Sequence, residues 1–476
     1  MDETSSPDYT FIFEDLSDSI RSGLVWVTKA GLQDAFYVHT AVQDIQLLKR
    51  NLPFIPPEIA DCIDIASAVY VADKLALRSV RKKTSIRTVI PVRCPEMWAR
   101  EVVALELQRI LYWFTRDNWV IEFTHRTAQP RLAELQPRLI SDSETRIGSV
   151  EVALWSGGLD SLAGLLNRAA EGVTTRFTLI GTGSSDITHS VQRKIASRAQ
   201  ALITPGRLKL IQVPIRLRDK EIGPTKRIKL SYSQRSRGFV FMLLGAACAY
   251  LEGQRALYIY ENGIGAINLP FRASETVRDH AVSVNPLSLR RMGNLVSLVI
   301  GEPFVFVNPF LLWTKAEMCR ILGLRKADGL VWQTVSCDRP RRERPRQCGC
   351  CSSCLLRRQA LIEAGLADHT PYGVLAERED QPHHDQDKPR RPFSSTHLQA
   401  MLYQVDHLRS LMEDKDPWIS LIRQPGHAIL EQIVEETAVE SRTMGVTSQQ
   451  IMDLYLRYIN EWDGQSRHLL SLGLNT

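Results

Sequence analysis

Between residues 150 and 260 the apolar positions follow a repeating order, in which a short continuous run is followed by a longer stretch at helical spacing. The runs 150–155, 177–180 and 208–213 read as strands, each followed by a helical pattern at 159–170, 190–202 and 239–251, and the run 257–260 reads as a fourth strand. This alternation predicts a parallel, doubly wound α/β sheet with helices on both faces, whose ligands bind beyond the carboxyl ends of the strands. The stretch 239–251 is apolar almost throughout. It falls short of the about 20 residues needed to span a bilayer and reads as a buried helix.

The flanks are patterned differently. Short β-rich runs at 9–13, 86–90 and 119–123 alternate with helical patterns at 63–79 and 97–114, which predicts an α+β unit. Residues 128–145, with Pro130 and Pro137 among polar neighbours, read as a linker. A second polar stretch, 377–395, holds His383, His384 and a Lys-Pro-Arg-Arg-Pro segment; the histidine pair suits either a metal or a solvated loop. Beyond it, three segments have helical periodicity, and Thr447 with Gln450 forms a capping box. The expected organisation is an N-terminal α+β domain and linker over 1–145, the α/β domain over 146–373, a linker over 374–395 and a C-terminal helical module over 396–476.

Composition narrows the class without choosing a function. A 476-residue chain that is 44% hydrophobic and 24% charged is globular, neither generally disordered nor a membrane protein. Asp2, Glu3 and Asp8 stand where a secretory signal would be basic, so a cytoplasmic protein is expected. A net charge of +6 suits a nucleotide substrate, RNA or an acidic partner alike. The basic loop 339–346 could hold nucleic-acid phosphates or an acidic partner, or simply be solvated, since it has no interleaved aromatic for base stacking.

The first strand runs into Ser156-Gly157-Gly158-Leu159-Asp160-Ser161, and a helix follows. Paired glycines let the backbone approach an anion, hydroxyls and N–H groups point at its oxygens, and the helix start adds favourable potential. The Gly-Lys-Ser/Thr ending of a Walker loop is absent. Further on, Cys337 is followed by Cys348-Gly349-Cys350-Cys351-Ser352-Ser353-Cys354. Four thiolates from two short loops suit a closed, structural zinc site, and the two-residue gap between Cys348 and Cys351 selects Cys337, Cys348, Cys351 and Cys354 over Cys350.

The glycine loop resembles the Ser-Gly-Gly-x-Asp-Ser signature of the PP-loop ATP pyrophosphatases, which cleave ATP between the α and β phosphates, adenylate a substrate oxygen and let a nitrogen or sulfur nucleophile displace AMP. Together with Gln333-Thr334-Val335-Ser336-Cys337 and the Cys348 to Arg357 segment it resembles the QueC family. Gln192-Arg193, Arg237 and Thr314-Lys315 after Asn308-Pro309 match further family segments, and the resemblance covers roughly 150–373. It implies ATP and Mg²⁺ organised by Asp160 and Ser161, with Lys315 and Arg193 neutralising the departing pyrophosphate. Arg237 is a further candidate for the phosphates, or a solvated arginine at a helix start. Glu261 and Asn262, in the loop with Gly263, would hydrogen-bond the guanine-like edge of a 7-deazaguanine substrate, unless they only form a tight turn.

The Glu261-Asn262-Gly263 loop and the long N-terminal unit look like the QueC-like proteins of antiphage defence operons, the QatC group and the QueC-like component of CBASS operons. This resemblance implies that 7-carboxy-7-deazaguanine is adenylated and joined to the N-terminal amine of a partner protein from the same operon. The alternatives are ordinary 7-cyano-7-deazaguanine synthesis for queuosine-type biosynthesis or tRNA modification, and a non-catalytic nucleotide-binding scaffold.

Overall fold

In the computed structural model the described residues are 7–15, 23–29, 32–38, 55–78, 83–127, 134, 149–172, 176–183, 186–215, 231, 235–271, 282–338, 347–373, 396–438 and 445–463. The expected linkers, apart from residue 134, together with the His383–His384 pair and the basic loop 339–346, lie outside them.

The N-terminal part holds β1 (Tyr9–Asp15), β2 (Gly23–Lys29), β3 (Leu32–Val38), α1 (Pro57–Leu75), β4 (Ser85–Val92), α2 (Pro95–Trp98), α3 (Glu101–Thr115) and β5 (Asn118–His125). Its sheet has the order β3-β2-β1-β4-β5, antiparallel across β3, β2 and β1 and parallel across β1, β4 and β5. The alternating burial of β4 gives the sheet a face that packs on helices. That core does not close on itself: buried residues of α1 and α3 continue into those of the next unit. Asp73 on α1 accepts hydrogen bonds from the backbone N–H (3.0 Å) and hydroxyl (2.8 Å) of Ser236, and the Trp113 indole donates to Ser288 (2.8 Å).

The second sheet contains β6 (Val150–Leu154), β7 (Arg176–Gly183), β8 (Leu208–Pro214), β9 (Ala256–Tyr258) and β10 (Val305–Val307), in the order β10-β9-β6-β7-β8 and parallel throughout. Its helices are α4 (Leu159–Glu171), α5 (Asp186–Ala199), α6 (Arg237–Leu251), α7 (Gly263–Ile267), α8 (Pro286–Ile300), α9 (Lys315–Leu324), α10 (Asp328–Val331) and α11 (Ser352–Glu363). Successive strand residues face opposite ways: Val152 joins the core under α6 and α8, whereas Ala153 joins the core under α4, α5 and α9. Burial on both faces is why these strands read as continuous apolar runs. Helix α6 is buried along most of its length, as its unbroken apolar sequence predicts.

Four helices end the described chain: α12 (Thr396–Met412), α13 (Pro417–Ile422), α14 (Ile429–Ala438) and α15 (Ser448–Asn460). The expected capping box is present, with the Thr447 hydroxyl accepting from the Gln450 N–H (3.2 Å) and the Gln450 side chain accepting from the Thr447 N–H (2.9 Å). Among the described residues no helix is long and apolar enough to cross a membrane.

Candidate active site

Strands β6 and β9 are neighbours in space, although β7 and β8 lie between them in sequence. Connections therefore leave them toward opposite faces, and their carboxyl ends flank a crevice, the usual ligand position of a doubly wound sheet. The 155–158 loop enters it after β6 and Glu261 and Asn262 after β9.

The glycine loop takes a tight turn that only glycine fits at its centre. Gly157 has φ 75°, and a side chain there would sit 3.1 Å from Val191 Cγ1 and 3.2 Å from the Gln192 backbone. The Ser156 and Ser161 hydroxyls are 2.8 Å apart, and Ser156 Oγ accepts from the Gly158 N–H at 3.0 Å. Gly158 caps α4, so the positive end of that helix opens at the same place.

Across the crevice, Lys315 at the start of α9 is ion-paired to Asp160 Oδ2. Asn262 is fully buried: its amide nitrogen donates to Asp160 Oδ1 (3.0 Å) and Glu261 Oε1 (2.8 Å), and its oxygen caps α7 by accepting from the Gly265 N–H (2.9 Å). Burial pushes the Glu261 carboxyl up to about 8, and the Asp160 charge adds to the rise. For Lys315, burial favours the neutral amine, but the Asp160 and Glu261 carboxylates outweigh it and hold the ammonium above its usual range. Lys315 is therefore a cation facing two carboxyl groups, one of which is still taking up protons at neutral pH.

These groups line one cavity of about 730 Å³. The end beside the glycine loop is lined by Ser156, Gly158, Asp160, Ser161 and Lys315, next to Glu261 and Asn262. Arg237 also lines it, with its guanidinium carbon 4.9 Å from the Phe241 ring centroid, and burial lowers its pKa. Among the described residues Arg237 forms no ion pair.

Four sequence candidates lie elsewhere. Gly157 and Leu159 support the loop from behind, with Leu159 fully buried in the core under α4. Gly263 is a packing position: a side chain there would fall 2.0 Å from the Leu311 carbonyl oxygen and 2.6 Å from Leu454. Arg193 is exposed on α5 and donates to Gln212 (3.2 Å) instead of facing the cavity. Its neighbour Gln192 is fully covered beneath the glycine loop, with its carbonyl accepting from the Trp155 indole (3.0 Å).

Cys337, Cys348, Cys351 and Cys354 have their sulfurs within 4.8 Å of one another, the set selected from the spacing, and they form a candidate metal centre. The 337–348, 348–354 and 337–351 separations are 3.7, 3.9 and 4.0 Å. Zinc–sulfur bonds of about 2.3 Å in a tetrahedron place sulfurs about 3.8 Å apart, so zinc fits. The Cys351 N–H donates to Cys348 Sγ (3.3 Å), which favours a thiolate. The centre is linked to the cavity by the 331–337 segment. Arg357, fully buried on α11, donates to the Val331 carbonyl (2.6 Å) and to the hydroxyls of Thr334 (2.7 Å), Ser336 (3.2 Å) and Thr370 (3.0 Å). This holds Val335, Ser336 and Cys337 as a cavity wall.

Sequence reasoning missed the opposite wall. His397, Met401 and Gln404 from α12 and Tyr455 and Tyr458 from α15 line the same cavity. Gln404 also donates to the Leu269 (3.1 Å) and Pro270 (2.8 Å) carbonyls beyond α7. The helical periodicity gave these helices an apolar face but no indication of what it covers.

A doubly wound parallel sheet with a Ser-Gly-Gly-x-Asp-Ser loop at its switch point, opposed by a lysine and a second carboxylate, defines an ATP-dependent enzyme of the PP-loop class. Residues 151–365 match the family described as queuosine biosynthesis protein QueC. The 7-cyano-7-deazaguanine synthase of Magnetococcus marinus is 30% identical over 242 residues, covering 46% of this chain and 96% of that protein. The enzyme of the same name from Erythrobacter litoralis is 29% identical over 232 residues, covering 46% of this chain and 90% of that protein. The chain belongs to the QueC family. The N-terminal sheet and helices α12 to α15 lie outside the matched residues.

Proposed function

We propose that the chain uses ATP to adenylate the carboxylate of a 7-deazaguanine and transfers the activated acyl group to a nitrogen nucleophile. The observation that carries this is the single cavity in which the phosphate loop faces Asp160, Lys315, Glu261 and Asn262. A carboxylate oxygen attacks the α-phosphorus and pyrophosphate leaves, so negative charge grows where Ser156, Ser161, the α4 helix start and Lys315 converge. Ammonia then attacks the acyl carbon and AMP departs with the former carboxylate oxygen, giving an amide. A nitrile product requires the amide oxygen to be adenylated and expelled in turn.

Asp160 is the residue that would hold Mg²⁺, whose contribution is to neutralise phosphate charge. Displacing Lys315 from its ion pair toward the pyrophosphate would free that carboxylate. Arg237 supplies a second cation, and Glu261 accepts from the ring N–H and exocyclic amine of the base once its carboxyl, at about 8, is ionised. Zinc is assigned a structural role, since four thiolates leave no open position, and thiolate ligation suits a reducing cytoplasm.

A second reading, in which the nucleophile is the terminal amine of a partner protein in a defence operon, is favoured by one observation. The α12 and α15 wall lies outside the residues matched to the family, so this cavity is shaped by parts the family match does not include. Purified chain with ATP, 7-carboxy-7-deazaguanine and ammonia should release AMP and form amide or nitrile, and Asp160→Ala should abolish both. A protein adduct with an operon neighbour, without small-molecule product, would favour the second reading; absence of AMP under every condition would refute both.

A further inference from the structure

The start of α9, which presents Lys315 to Asp160, is held from outside the PP-loop core. Thr314 is its N-cap, and its hydroxyl accepts from the Glu317 N–H (3.1 Å) while the Glu317 carboxylate accepts from the Thr314 N–H (2.7 Å). A hydroxyl has one hydrogen, and here it is donated to Glu461 Oε1, just past the end of α15. The other Glu461 oxygen lies 3.3 Å from Gln359 Nε2 on α11, the helix that carries Cys354 and Arg357. Thr314 and Gln359 are fully buried, and Glu461 is 7% exposed.

Two further contacts from α15 act on the same segment. Arg457 donates to the Leu312 carbonyl (2.6 Å) and pairs with Glu317 (2.9 Å), while Leu454 fills the space against Gly263. The loop preceding Lys315 and the loop carrying Glu261 and Asn262 are thus both pressed by one helix.

We propose that Glu461 is a positioning residue for Lys315: by accepting the Thr314 hydroxyl it fixes the N-cap from which the lysine reaches Asp160, so that the C-terminal module is a working part of the active site. This rests on the reading of Lys315 as the cation that meets the leaving pyrophosphate. Glu461 touches no substrate and acts only through Thr314. Its removal leaves the N-cap held only by Glu317 and Arg457, with the hydroxyl hydrogen unanchored and the start of α9 less tightly fixed, and displacement of a catalytic group by about 1 Å can cost on the order of 100-fold in rate.

The test compares Glu461→Ala, Glu461→Gln, Thr314→Val, Thr314→Ser and the double variant Glu461→Ala/Thr314→Val, each checked for zinc content and melting temperature. Glu461→Ala and Thr314→Val should lower kcat for AMP release about 10- to 100-fold, with the KM for ATP within about threefold of wild type. Glu461→Gln and Thr314→Ser, which keep the hydrogen bond, should stay within about threefold in kcat, and the double variant should be no worse than the poorer single one. Lys315 labelling by acetic anhydride, read by peptide mass, should increase in Glu461→Ala. Full kcat in Glu461→Ala, multiplicative losses in the double variant, or unchanged Lys315 labelling would overturn the proposal. If the wild-type chain releases no AMP, the reaction assigned above fails, while Lys315 labelling still decides the role of Glu461.

Discussion

Asn262→Asp exchanges one nitrogen for oxygen at the most connected position of the site and separates two roles of that residue. An aspartate oxygen can still accept from the Gly265 N–H, so the cap of α7 should survive. The two donations, to Asp160 Oδ1 at 3.0 Å and Glu261 Oε1 at 2.8 Å, become contacts between carboxylate oxygens. Unit charges about 4 Å apart at an effective dielectric near 20 repel by about 4 kcal/mol, worth about three pH units on a carboxyl group. The trio should therefore retain one more proton than wild type around neutrality. A carboxyl whose pKa rises on folding lets the native state bind the extra proton, so stability falls as pH rises through that window. Wild type already carries this slope from Glu261, at about 8, and Glu461, at about 7, and comparison with wild type cancels both. The excess for Asn262→Asp should be about 1.4 kcal/mol per pH unit, or about 2.7 kcal/mol between pH 6 and pH 8. At about 2.1 cal/mol/K of unfolding entropy per residue, a chain of 476 residues shifts by about 1 °C per kcal/mol, an additional fall of about 3 °C in melting temperature. Asn262→Ala should lose about 1 kcal/mol of capping and show only a small excess slope close to pH 8, because losing the amide donor raises Glu261 further where it is already largely protonated. Thermal melts of the three proteins at several pH values measure this, and equal slopes for the Asp and Ala variants would refute the assigned hydrogen bonds.

Three further expectations follow from the same geometry. Glu261→Gln should flatten the decline in stability between about 4.5 and about 8 and remove a limb near 8 from the pH profile of kcat/KM; an unchanged profile would detach Glu261 from substrate recognition. Arg357→Met should cost about 3 kcal/mol or more, because buried acceptors lose a charged donor, and should weaken zinc retention through Cys337; a melting temperature within about 1 °C of wild type would contradict its role as the tie between the metal centre and the cavity wall. Cys354→Ser should release zinc on mild chelation, measured by metal analysis, and full retention would remove Cys354 from the ligand set.

What the sequence determined lies in contiguous stretches. The glycine loop is legible because its conformation depends on adjacent residues, with Gly157 in a left-handed backbone and Ser156 bonded two residues on to Gly158. The four-sulfur set is legible because the short gaps from Cys348 to Cys351 and Cys354 bring the thiols together, and the Thr447 capping box because it closes within one turn. The parallel sheet showed in its apolar runs, although β10 and α8 were not among the elements expected, and β2 and β3 were missed in the N-terminal part.

Tertiary structure decided which of those stretches share a site. Lys315 meets Asp160 across 155 positions of sequence, and Asn262 meets it across 102, because the strand order places β9 beside β6. The Glu461–Thr314 contact spans 147 positions and depends on how α15 packs, which its own periodicity does not specify. Arg193 and Gly263 show the converse: both sit in motif-like segments, yet α5 turns Arg193 toward Gln212 and the close approach of Leu311 makes Gly263 a packing requirement. Local backbone preferences act within a few residues, whereas an active site assembled at a sheet's switch point is defined by crossovers and packing among elements far apart in the chain.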